Sequence, residues 1–203
     1  KIPSPWRLVA VSDSSYKGED QDSLAVRSGV IALTSKEGIR QGENPMQLIE
    51  FVSRKQSRIC RSTFAAELPS VLDLFGLATQ INASMTELLT GACTAEYLAQ
   101  ALDNGTNALS LEMVIDQRGL LDATDSENNK STDSSVLLHL MKLREDLRTI
   151  ISRLIWVDTR SMLADALNKG GICRDQLHEL CERCVWTISQ PIHAISGRKT
   201  SIA

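Results

Sequence analysis

Short apolar runs that stop at polar clusters alternate along this chain with longer stretches in which apolar residues recur every three or four positions. Residues 8–12 form an apolar run that ends in a Ser/Asp cluster, as a buried strand ends. Residues 24–34 are rich in Val, Ile and Leu around Gly29, and residues 46–53 give a third strand after a loop of Gly, Asn and Pro. Three consecutive strands predict an antiparallel meander. The period then changes. Phe64, Leu68, Val71, Leu72, Phe75 and Ala78 are spaced for one face of a long helix, with Ser62 or Thr63 as its cap. Pro69 lies too deep for the first turn, which predicts a kink or a late start. Residues 85–102 continue as helix with a break near Gly91, and the Asn104-Gly105 turn leads into a strand over 109–115. A short helix over 119–124, a polar surface loop over 125–135, an amphipathic helix over 136–150 and a fifth strand over 153–157 follow. Ser161 precedes a helix carrying Asp165, and residues 174–188 read as a last helix. The expected division is an extension over 1–7, one domain over 8–170, a helical segment over 171–188 and a disordered polar tail over 189–203.

Composition narrows the function classes only a little. The 203 residues are 42% hydrophobic and 23% charged, which suits one substantial core. A formal net charge of -3 means that no overall excess of Lys and Arg draws the chain to a phosphate backbone, so any nucleic-acid contact must be local. Five cysteines make no even disulfide framework, and nothing resembles a signal peptide. An intracellular setting is expected, in a cytoplasmic particle or the nucleus. No apolar stretch approaches the roughly 20 residues that cross a bilayer, so no membrane partner is expected. The first residue is Lys1 rather than Met, which suggests a piece of a longer product.

The chemistry sits at the element ends. Asp13 in LVAVSDSSY and Asp116 in LEMVIDQRG follow strands, Glu67 in STFAAELPS starts a helix, and Asp165 in SMLADALNK belongs to a late one. Only a fold that converges strand ends and helix faces gathers four acids so far apart in sequence. Carboxylates gathered in this way repel one another unless a cation is present, and a divalent metal is the natural counter-charge.

The flanking strings SDSSYKGED, SRKQSRICRSTFAAEL, VIDQRGLLD and WVDTRSMLADALNKG, in this order, resemble the ribonuclease H domain of Ty1/copia-type retrotransposon Pol polyproteins. The likeness spans roughly residues 8–170. Tyr16 and Gly18 follow the first acid as in that family. Ser53, Arg54, Lys55, Gln56, Ser62 and Thr63 match the string before the second, and Ala164, Asp165, Asn168 and Lys169 match the fourth, with Asn168 where a Thr is usual. The resemblance implies an α/β, RNase H-like fold with a five-stranded mixed sheet, three antiparallel strands then two parallel, flanked by helices. It implies endonucleolytic hydrolysis of the RNA strand of RNA/DNA hybrids, leaving a 3'-hydroxyl and a 5'-phosphate. The cofactor implied is two Mg2+ ions, with Mn2+ as the alternative, held by Asp13, Glu67, Asp116 and Asp165. Asp13 would bridge both ions, Glu67 and Asp116 would hold one, and Asp165 would complete the other. Arg54, Lys55, Gln56, Ser62 and Lys169 would meet the hybrid, with Arg58 and Arg61 adding positive charge. A covalently or physically associated reverse transcriptase is the implied protein partner.

Simpler readings stand beside these. An Asp after a strand is commonly a turn former or a cap, and a Glu in a first helical turn complements the helix dipole. Basic residues after a strand are commonly a solvated face. Cys173, His178, Cys181 and Cys184 have spacing that suits Zn2+, yet Leu177, Leu180, Cys181 and Cys184 also form an apolar helical stripe, and core packing is the preferred reading. His139 lies within a helical repeat and reads as a face residue. The alternatives to the enzyme are a noncatalytic RNase H-like domain that binds nucleic acid or connects other domains, and a zinc-stabilised interaction module.

Overall fold

The structure, a computed structural model, describes residues 6–16, 24–60, 62–91, 94–126, 134–169 and 174–197. The first three strands are β1 (Trp6–Ser15), β2 (Leu24–Ser35) and β3 (Gly42–Ile59), each antiparallel to the next. They lead into helices α1 (Thr63–Thr90) and α2 (Ala95–Asp103), then β4 (Ser110–Ile115), α3 (Arg118–Asp125), α4 (Ser134–Thr149) and β5 (Ile151–Trp156). β4 lies parallel to β1, and β5 parallel to β4. This is the mixed α/β arrangement of three antiparallel strands and two parallel ones that the resemblance implies.

Two further strands correct the expected count of five. A 3-10 turn (Thr159–Ser161), α5 (Asp165–Asn168) and α6 (Asp175–Arg183) are followed by β6 (Val185–Ile188) and β7 (His193–Ser196), giving a seven-stranded sheet of order β6-β3-β2-β1-β4-β5-β7. The helix expected over 174–188 therefore ends early, because Cys184 turns the chain with φ 54, in the left-handed region. The tail expected to be disordered supplies β7, antiparallel to β5. The expected N-terminal extension likewise gives Trp6 and Arg7 to β1.

Alternation along the strands explains how the sheet is covered on both faces. Leu8 and Ala10 of β1, Ile31 of β2 and Met113 of β4 enter one core with Leu68, Val71, Leu74 and Ala78 of α1. Val9, Val11, Val30, Ala32 and Val114 enter the other, with Leu163, Ala164, Leu180 and Trp186. A strand buried on both faces needs apolar residues at every position, which is why 8–11 is an unbroken apolar run. Gly29 lets α1 lie close: a Cβ there would stand 2.5 Å from Leu74 Cδ1.

α1 starts at Thr63, with Ser62 Oγ accepting from Ala65 N at 3.1 Å, so the late start suggested by Pro69 does not occur. Pro69 instead sits within the second turn and leaves the Ala65 carbonyl without its helical donor. Gly91, at φ 88, closes the helix where the sequence places a break. At the N-terminal end of β4, Glu112 is fully buried. It accepts from Ile39 N at 2.8 Å and pairs with Arg7 at 3.2 Å and Arg153 at 3.1 Å. Most of the expected polar loop over 125–135 lies outside the described residues.

Candidate functional site

Strand register alone brings the first and third acids together. Val9 pairs with Glu112 and Val11 with Val114, so continuing two residues along the parallel strands sets Asp13 level with Asp116. The same alternation puts Asp13 on the face of Val9 and Val11, and Asp116 on the face of Val114. Glu67 arrives from the first turns of α1, where Ser14 N donates to its Oε1 at 3.0 Å and Ser14 Oγ at 3.1 Å. Carboxylate oxygens of Asp13, Glu67 and Asp116 lie within 4.8 Å of one another.

Each acid is braced from behind. The Asp13 carbonyl accepts from Ser70 Oγ at 3.1 Å. Thr159 Oγ1 donates to Asp116 Oδ2 at 3.0 Å, and Trp156 Nε1 donates to the Asp116 carbonyl at 2.6 Å. The 156–160 string WVDTR thus fixes the end of β4.

Asp165 opens α5 beside the trio and outside its mutual 4.8 Å reach. The helix has only four residues, and serines of the meander hold it. Ser28 Oγ donates to the Ala164 carbonyl at 2.9 Å and Ser53 Oγ to the Leu167 carbonyl at 2.8 Å. Asn168 and Lys169 follow Asp165 by three and four residues, so their side chains return to the same side. Asn168 Nδ2 donates to Asp13 Oδ2 at 2.7 Å and to Ser28 Oγ at 2.8 Å. Lys169 Nζ pairs with Asp165 Oδ1 and stands 3.4 Å from Asp13 Oδ2.

Burial and crowding change the acids' protonation. Desolvation pushes Glu67 up to about 9, helped by the charges of Asp13 and Asp116 and opposed by the Ser14 hydrogen bonds. Desolvation lifts Asp165 to about 7, with Asp13 adding to it and Lys169 opposing. Asp116 rises to about 6 for the same first reason, with Asp13 adding and Lys169 and Thr159 opposing. Burial alone would depress the Lys169 ammonium, but its bond to Asp165 and the charges of Asp13, Asp165 and Asp116 outweigh that and raise it.

The donor set fits a hard divalent cation. Glu67 is 2% exposed and its Oε2 has no hydrogen-bond partner, so this buried oxygen awaits a proton or a cation. Every ligand atom in the trio is a carboxylate oxygen, the chemistry that Mg2+ and Mn2+ prefer over thiolate or imidazole.

The expected substrate residues disperse. Arg54 lines a cavity of about 140 Å³ between α1 and the meander, together with Arg27, Ser28, Ser70 and Asp73. Lys55 is exposed on β3. Gln56 is buried, its Nε2 donating to the Ala66 carbonyl at 2.8 Å and its Oε1 accepting from Cys60 Sγ at 3.1 Å, so its amide is engaged inside the fold. Ser62 caps α1. Lys169 faces the acids. The Arg58 side chain and Arg61 lie outside the described residues. So does Cys173, and among the described residues His178, Cys181 and Cys184 form no metal-ligating group. His139 lies on α4 and takes no part in the acid cluster. Ser14, Thr159 and Asn168 are the members that sequence reading missed. The one available signal was that Asn168 stands where the resembling family has Thr.

No protein-family model and no curated protein sequence matches the chain. Among solved structures, the ribonuclease H1 of the halophilic archaeon Halobacterium salinarum NRC-1 is similar to it, with 14% identity and a TM-score of 0.47 over 79% of this chain and 93% of that one.

Proposed function

We propose that the chain is a metal-dependent nuclease that hydrolyses the RNA strand of RNA/DNA hybrids, as the ribonuclease H part of a Ty1/copia-type retrotransposon polyprotein that also carries a reverse transcriptase. The observation that carries the reading is the mutual approach, within 4.8 Å, of carboxylates from two parallel strand ends and one helix, with one buried oxygen left unpartnered. The four flanking sequence strings supply the substrate class. Asp13, Glu67 and Asp116 would hold one Mg2+ ion, and Asp13 with Asp165 a second. Bound there, the ions supply Lewis-acid activation of water and charge neutralisation at the scissile phosphate. The protein's own part is positioning. Ser14 orients Glu67, Thr159 and Trp156 orient Asp116, and Ser70 fixes the Asp13 backbone. Arg54 and Lys55, exposed on β3, supply local positive charge for the hybrid backbone in a chain of net charge -3.

The test is cleavage of an end-labelled RNA/DNA hybrid in MgCl2 by the chain and by Asp13→Asn and Asp116→Asn. The expected result is loss of at least about 100-fold in rate for each variant, since each removes a ligand group from a preorganised site. Equal cleavage by all three proteins would sink the enzyme. Tight hybrid binding without cleavage by any of them would favour the noncatalytic reading.

A further inference from the structure

The register of the meander sets Arg27 of β2 directly opposite Arg54 of β3. Like charges facing each other across an antiparallel pair destabilise it unless an anion lies with them. Among the described residues one carboxylate serves the two cations: Asp73 of α1 pairs with Arg27, and Arg54 forms no ion pair. Arg27 Nε is buried and has no hydrogen-bond partner. Both arginines line the cavity of about 140 Å³ between α1 and the meander, and Gly29, Val52, Leu74 and Leu77 give it an apolar wall. The sheet thus holds one positive charge more than the fold balances there, beside space for a ligand.

We propose that this cavity binds a small organic oxyanion, a phosphate monoester or carboxylate on an apolar body, with Arg27 and Arg54 holding the anionic group and Val52, Leu74 and Leu77 covering the body. The forked N–H donors of a guanidinium match two oxygens of a phosphate or carboxylate, and a bound oxyanion screens the two arginines from each other. Size limits the ligand. The cavity is small beside the roughly 300–1,000 Å³ of sites for drug-sized molecules, so it takes one anionic group with a few carbons or a single small ring and excludes a whole nucleotide. Asp73 is the internal competitor, since it occupies the donors of Arg27 that the ligand would share. None of the four acids of the candidate metal site lines the cavity, so the proposal stands apart from the metal-dependent reading. Arg54 is also one of the cations offered to the hybrid above. An occupied cavity leaves that contact to Lys55, which alternation places on the opposite face of β3.

The test is calorimetric titration of the full chain with inorganic phosphate, phenyl phosphate and benzoate, in metal-free buffer at constant ionic strength, alongside Arg54→Gln and Asp73→Asn. Both substituted positions are exposed, so both variants should fold, and a melting curve without ligand checks this. The expected outcome is one phenyl phosphate or benzoate per chain, with phenyl phosphate at least about fivefold tighter than inorganic phosphate because the ring gains the apolar wall. Arg54→Gln should weaken phenyl phosphate at least about tenfold. Asp73→Asn should tighten it, because Arg27 is released to the ligand. Opposite responses at two exposed positions are not what a general loss of stability gives. No binding of any probe at millimolar concentration, by the parent or by Asp73→Asn, would overturn the proposal. Equal affinity in the parent and a folded Arg54→Gln would overturn it too, by placing the anion elsewhere. Inorganic phosphate bound as tightly as phenyl phosphate would overturn the assignment of an apolar body.

Discussion

Glu67 concentrates the residue-scale physics of this protein. It is buried beside two other acids, and its carboxyl is pushed up to about 9, Asp165 to about 7 and Asp116 to about 6. Each group therefore holds its proton more tightly folded than unfolded. As pH rises the unfolded chain gives up these protons first, so the stability that they confer is full below about pH 4 and is lost progressively up to about pH 9. Metal-free thermal unfolding should show a falling midpoint across that window, with a slope near 1.4 kcal/mol per pH unit for each proton that differs between the states. A divalent ion must displace the same protons, so the rise in midpoint caused by MgCl2 should be small near pH 5 and grow toward pH 9. Glu67→Gln should flatten the metal-free profile and shrink the MgCl2 effect. A metal-free midpoint that rises with pH in this range would contradict the protonated state assigned to the cluster.

At the scale of elements, the parts that form the site differ greatly in how they are held. β1 and β4 are central strands with apolar neighbours on both faces, whereas α5 is a four-residue helix attached by hydroxyls of β2 and β3 and by Leu163 and Ala164 beneath it. Trp186 of β6 completes that support. It is fully buried, and its Nε1 donates to the Ser161 carbonyl at 3.0 Å and to Gln176 Oε1 at 3.1 Å, tying β6 to the 3-10 turn before Asp165. Trp186→Ala should cost about 3–5 kcal/mol in denaturant unfolding, and should displace Asp165 before it disturbs the Asp13, Glu67 and Asp116 trio. A loss below about 1 kcal/mol would mean that β6 only decorates the sheet. The positions of the four acids at element ends were legible because alternation, helical period and caps are local signals. Residues 8–12 and the stripe from Phe64 to Ala78 carry them strongly. β6 and β7 were not legible, because four-residue strands show too little alternation. Leu177, Leu180, Cys181 and Cys184 continued a helical stripe that the left-handed turn at Cys184 cuts off. The second role of Asn168 and Lys169 depends on β1 lying across from α5, a relation with no sequence-local trace.

For the whole molecule, the sheet is longer than the resemblance implied, and its two additions close it at both ends. β7 covers β5 through Arg153 to Trp156, and Gly197 N donates to the Ser152 carbonyl at 2.8 Å. A chain ending at Ser189 would expose the outer backbone groups of β5 as an unpaired edge. Such a truncation should lower the unfolding midpoint and shift light-scattering mass toward dimers or larger species, while the intact chain shows neither change at the same concentration. A truncated chain that stays monodisperse with an unchanged midpoint would show that β7 adds nothing to the sheet.

β4 carries one acid, Glu112, near its start and is followed directly by another, Asp116, and the two have opposite fates. Glu112 is neutralised within the fold by two arginines and a backbone amide, while Asp116 is left facing other acids. One strand thus contains its own reference electrode: the same carboxylate chemistry, a few residues apart, once with its charge balanced by the protein and once with the balance deferred to whatever arrives from solution. Ionic strength and divalent ions should therefore perturb the spectroscopic signature of one end of β4 and leave the other silent. That contrast within a single strand separates a specific ion effect from a general salt effect without any second protein for comparison.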